Sequence, residues 1–93
     1  MMQSERARMT KYEATRIIGI RTAQLESSAP ITISNIPVHL KSNFLYIACK
    51  ELINGTLDIY VRRPLPYNAF YEIHVRDIDL PEDLYILEEM LNP

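Results

Sequence analysis

The side chains best suited to chemistry in this chain are two histidines, one cysteine and a scatter of arginines. Neither histidine belongs to a His-x-x-x-His pair. His39 falls in an expected loop and His74 on the polar face of an expected strand, so both read as surface or partner-contact residues rather than metal ligands or proton carriers. Cys49 sits inside an apolar helical pattern, as a reduced, buried thiol does. One cysteine also excludes an internal disulfide and a cysteine-rich zinc site. There is no glycine-rich phosphate loop, and no nucleophile stands beside a base at a recognisable spacing. The arginines remain. Arg16, Arg21, Arg62 and Arg63 are able to hold nucleic-acid phosphate, but guanidinium groups equally suit bidentate pairing with carboxylates or carbonyls of another protein. The charge distribution favours the protein. Residues 1–30 carry five Lys/Arg against three Asp/Glu, whereas residues 57–93 carry three against eight, an acidic half that opposes free-standing nucleic-acid binding. Arg62 and Arg63 directly precede Pro64-Leu65-Pro66, a rigid turn expected to aim them in a fixed direction at a partner.

The elements that position these groups can be read from period and punctuation. Thr10 and Glu13 are spaced as a capping box, so a helix is expected from about residue 11. Ala14, Ile17, Ile18 and Leu25 then form an apolar stripe, widened by Ile20 and Ala23. Arg21 lies on that same face, where it must either snorkel along its own stem or meet a carboxylate or carbonyl from outside the helix. The second option implies a partner surface. The helix should run to about Ser28, because Pro30 cannot continue it. Ile31 to Ile33 form an extended connection turning through Asn35 and Pro37. A second helix is expected with Ser42 as N-cap, with Phe44, Leu45, Ala48 and Leu52 as its apolar stripe and Asn54-Gly55 as its stop. From Thr56 the period becomes two, with Leu57, Ile59 and Val61 inward. Pro64 and Pro66 remove backbone donors and are expected to end the ladder. After a turn at Tyr67-Asn68, Tyr71, Ile73 and Val75 alternate as a return strand. Leu80-Pro81 opens a short closing helix with Leu84, Leu87 and Leu91 on one side. The fold class is therefore α+β: two core helices, a short antiparallel β-hairpin and a short C-terminal helix.

Ninety-three residues, 47% of them hydrophobic and 24% charged, make one small folded domain with a net charge of −2. No apolar run reaches the roughly 18 residues of a membrane span, and the N-terminus lacks a signal-peptide core. A soluble intracellular protein is expected. Six tyrosines add to the expectation of an interface.

At this point two segments carry a resemblance. Thr10-Lys11-Tyr12-Glu13, with Arg16, Gly19, Arg21, Ala23 and Leu25 in register, resembles the signature helix of the small omega-type subunit of multisubunit RNA polymerases. That family includes bacterial omega, archaeal subunit K and the sixth subunit shared by the eukaryotic nuclear enzymes. Leu57 to Pro66, LDIYVRRPLP, resembles the strand and Arg-Arg-x-Leu-Pro turn of its archaeal and eukaryotic members. The match covers about residues 9–78, leaving an arm at 1–9 and a helical extension at 79–93. It implies a non-catalytic subunit of DNA-directed RNA polymerase, with no catalytic residue, metal or cofactor and no small-molecule substrate. Such a subunit docks on the largest subunit near the base of the clamp, promotes assembly and stability of the enzyme, and meets DNA or RNA only through the complex. It works wherever its polymerase does: cytoplasm, nucleus, or viral factory and virion. By the same resemblance Thr10, Lys11, Tyr12, Glu13, Arg16, Gly19 and Arg21 form the first contact with the large subunit, and Arg62, Arg63, Pro64, Leu65 and Pro66 the second. Gly19 costs about 1 kcal/mol of helix stability but permits close approach of another backbone.

The chain also departs from the pattern. Eukaryotic members carry a long acidic N-terminal tail where this sequence has eight residues before Met9; it carries Glu26-Ser27-Ser28 before Ala29-Pro30 and lacks the Asp-Pro opening of the second helix. A compact divergent copy suits an archaeal polymerase or one encoded by a large DNA virus, with the altered stretch before Ala29-Pro30 pointing to the virus. The rival reading is a stand-alone nucleic-acid-binding or regulatory adaptor, whose binding would weaken steeply with salt.

Overall fold

The computed structural model describes residues 7–92, and the first six residues of the expected arm lie outside them. Helix α1 spans Lys11–Glu26 and starts as its cap dictates: Glu13 N–H donates to Thr10 Oγ1 (3.1 Å), and Thr10 N–H donates to Glu13 Oε1 (2.8 Å). It stops two residues before Ser28, which takes a left-handed φ of 74°. Ala29 N–H then reaches Gln24 O and Ser28 N–H reaches Leu25 O, closing the last carbonyls without a glycine. The inner face is Ala14, Ile17, Ile18, Arg21 and Leu25. Ile20 and Ala23, expected to widen it, face outward instead.

Helix α2 spans Phe44–Asn54 and is the centre of the molecule, burying Tyr46, Ile47, Ala48, Cys49, Glu51 and Leu52 between α1 and the C-terminal helix. Its N-cap is Asn43, one residue after the expected Ser42, and the Asn43 side chain accepts from Tyr46 N–H. Gly55, with φ 70°, ends it in the expected left-handed stop.

Strands β1 (Tyr60–Leu65) and β2 (Ala69–His74) pair antiparallel. Tyr67 and Asn68 both take positive φ at the turn, as hairpin geometry requires. Pro64 does not end the ladder. Val75 N–H bonds to Ile59 O, so the bonded pairs fall alternately at Val61↔Ile73, Arg63↔Tyr71 and Leu65↔Ala69. Pro64 occupies the alternate position, where an N–H would face the open edge, and its missing donor breaks no bond.

Helix α3 (Glu82–Leu91) folds back onto α2: Leu84 is buried, Cys49 Sγ–H points to Leu84 O at 3.6 Å, and Lys50 lies 3.8 Å from Glu88. Leu87 and Leu91 are half-buried on the same side. The segment before α1 is stitched to the stretch before α3, Met9 N–H donating to Asp79 O and Asp79 N–H to Ala7 O.

Candidate docking surface

The arginines and acids singled out above divide into closed and open groups. Arg21 meets a carboxylate from outside its helix, but from its own chain. Its Nε lies 2.6 Å from Glu51 Oε1 and its Nη2 3.0 Å from Glu51 Oε2, while Nη2 also donates to Pro30 O and Nη1 to Gln24. Glu51 is wholly buried and accepts two more bonds, from the N–H and the hydroxyl of Thr32, each at 2.8 Å. Burial by itself pushes the Glu51 carboxyl up; the hydrogen bonds from Arg21 and Thr32 outweigh it and hold the group below its ordinary value, ionised. The hydrogen bond to Glu51 raises Arg21 in turn. This cluster ties α1, α2 and the connection between them, so the partner surface inferred from Arg21 alone is not required. Glu51 was missed in the sequence, although a signal was present: it stands three residues after Ala48 and seven after Phe44, on the apolar face of α2.

Arg63 is closed in the same way. Its guanidinium forms a two-point pair with Glu13 (2.9 and 3.0 Å) and donates to Arg8 O, so the expected outward aim gives way to a clasp between the hairpin and the cap of α1. Burial pushes Glu13 up, but the bonds from Thr10 and Arg63 prevail and lower it. His74 is also internal. It sits at the end of β2, where the alternation gives way to a single 3-10 turn at Val75–Asp77. There Nε2 pairs with Asp58 at 3.0 Å, Nδ1 accepts from Arg76 N–H, and the ring packs at right angles to Tyr60. His39 lies exposed in the turn at Val38–Leu40. Cys49 is core, and burial pushes its thiol up to about 11.

The open group lies elsewhere. Tyr12, Arg16, Gly19 and Ala23 recur at spacings of four, three and four, and all are exposed along the outer face of α1. A Cβ built at Gly19 would meet nothing within 4 Å. The fold gives this glycine no internal reason to be small. Arg62 points to the opposite face of β1 from Arg63. Its side chain is 64% exposed, and its guanidinium lies over the Phe70 ring at 4.0 Å. Lys11, Pro64, Leu65 and Pro66 are likewise exposed.

No known family profile matches the chain. It is, however, 35% identical over 79 residues to DNA-directed RNA polymerase subunit Rpo6 of Sulfurisphaera tokodaii, a match covering 83% of this chain and 88% of that protein. The chain belongs to this omega-like family of RNA polymerase subunits. Subunit RPABC2 of RNA polymerases I, II and III from Saccharomyces cerevisiae is 34% identical over 70 residues, covering 75% of this chain and 43% of its own. The Dictyostelium discoideum counterpart is 39% identical over 64 residues, 69% of this chain and 45% of its own. The omega-like chain thus spans less than half the length of these eukaryotic relatives. Of its candidate residues, Thr10, Glu13, Arg21 and Arg63 are engaged in holding the fold, while Tyr12, Arg16 and Gly19 lie exposed on α1 and Arg62 lies exposed on β1, within 3.5 Å of Glu72. Among the described residues no helix is long and apolar enough to cross a membrane.

Proposed function

We propose that this chain is a non-catalytic subunit of a DNA-directed RNA polymerase, docking on the largest subunit near the base of the clamp and promoting assembly and stability of the enzyme. The observation that carries the reading is the outer face of α1, where an aromatic, an arginine and an unfilled glycine line up with no internal task. A glycine in mid-helix costs about 1 kcal/mol, and close approach by a partner backbone offsets that cost. Thr10, Glu13 and Arg63 contribute indirectly, by fixing the start of α1 against the hairpin, and Arg21 by fixing α1 against α2. Lys11, Pro64, Leu65 and Pro66 border the contact.

The test is recovery of the tagged chain from its native source at moderately high salt, followed by mass spectrometry. Stoichiometric recovery of the two large polymerase subunits is expected. Recovery of the chain alone, or with nucleic acid only, would overturn the reading.

A further inference from the structure

A groove of about 400 Å³ runs between α1 and β1, lined in part by Arg16, Ile17, Ile20, Tyr60, Val61 and Arg62. Its floor is aliphatic, since Ile17 and Val61 are nearly buried, and its walls are the half-exposed Ile20 and Tyr60. An arginine stands on each bank. The acid nearest Arg62 is Glu72, whose oxygen is 3.5 Å away on a 46% exposed side chain, a weak hold on the guanidinium. The Arg62 guanidinium lies over the Phe70 ring at 4.0 Å on a side chain that is 64% exposed, so it is held near the ring while remaining open to a visitor. Glu13 also lines the groove, but its carboxylate is committed to Arg63 and to the Thr10 cap. The charge left for a visitor is therefore positive, on a chain whose net charge is negative.

We infer that this groove receives an extended protein segment in which an apolar side chain is flanked by carboxylates, the side chain entering between Ile20 and Tyr60 and the carboxylates meeting Arg16 and Arg62. The inference rests on the docking reading above and adds the chemistry of what is docked. A nucleic-acid strand fits less well. Bases need open aromatic faces, whereas Arg62 covers a face of Phe70 and the Tyr60 ring is engaged at right angles with His74, centroids 4.9 Å apart.

The test is photocrosslinking in the assembled polymerase, with Ile20→benzoylphenylalanine in the otherwise unaltered full chain and peptide mapping of the adduct. Adducts should fall on a partner segment with Asp or Glu beside apolar residues. Adding Arg16→Glu and Arg62→Glu should lower their yield about tenfold, as expected for a lost charge complement, and reversal of the partner's acids to lysine should restore it. Arg62→Gln, which removes charge without reversing it, should give a smaller loss in the same direction. Adducts on a neutral or basic segment, or on nucleic acid, would overturn the inference. So would a lack of adducts in a complex that keeps both large subunits, which leaves docking intact. A chain that recovers no polymerase subunit overturns both.

Discussion

The two faces of α1 use the same kinds of residue for opposite ends. On the inner face Arg21 is enclosed by Glu51, Pro30 and Gln24, and every donor it uses ends within the chain. On the outer face Arg16 stands exposed beside a glycine with nothing within 4 Å. The hairpin repeats the contrast in adjacent residues, Arg63 clasped to Glu13 and Arg62 turned out over Phe70. The lesson is that an arginine's role follows from the face it occupies. An arginine turned inward with its carboxylate supplied maintains the fold, and only its outward counterpart is left exposed.

The largest expected effect breaks the inner side of this contrast. Glu51→Leu strands a buried guanidinium and should lower stability by about 3–5 kcal/mol, read by urea denaturation. Arg21→Met combined with Glu51→Leu should recover much of that loss, because an apolar pair of similar volume leaves no uncompensated charge. Equal losses in the single and double variants would mean that the ion pair is incidental.

Acid sharpens the same point. Glu51 and Glu13 both have carboxyl groups held below their ordinary value of 4.5 in the folded chain. Folding therefore favours their ionised forms. The stability they contribute is present in full above the unfolded value and is lost as pH falls below about 4.5 and through the lower folded values. Glu51→Gln should be less stable at neutral pH and show a shallower decline in acid, measured by denaturation at a series of pH values. An unchanged acid slope would remove Glu51 from the account.

A smaller effect is expected at the clasp. Thr10→Ala removes one side of the capping box and should cost about 1 kcal/mol. Arg63→Ala should cost a similar amount, about 1 kcal/mol, because the pair is two-pronged but only partly shielded. The smallest effect on stability belongs to Arg62→Ala, within about 0.5 kcal/mol as for most surface substitutions, and it should nevertheless weaken recovery of the polymerase subunits.

What could be read in the sequence was what is local. The Thr10–Glu13 box, the Gly55 stop and the Tyr67-Asn68 turn each involve residues a few positions apart, and all three form. What depended on distant chain was lost. Arg21 announced an unmet need, but its partner lies thirty residues away and was visible only as an acid on the apolar face of α2. Pro64 reads as the end of a strand in the sequence because the direction of its missing N–H depends on hairpin register, which sequence alone does not fix. Alternation does place His74 on the opposite face of β2 from Ile73, but its burial depends on Asp58 and Tyr60, which lie sixteen and fourteen residues away and close over the ring. Ile20 and Ala23 are exposed because the buried face of α1 is narrower than its apolar stripe, limited to Ala14, Ile17, Ile18, Arg21 and Leu25.

The central claim, that the inner face of α1 holds the fold and the outer face docks, is tested most directly by Gly19→Leu. Thermal stability of the full chain and its incorporation into polymerase are measured together. The account predicts unchanged or slightly raised stability, since leucine favours helix by about 0.8 kcal/mol over glycine and meets no internal neighbour, with loss of incorporation. Full incorporation of the Gly19→Leu chain would contradict it.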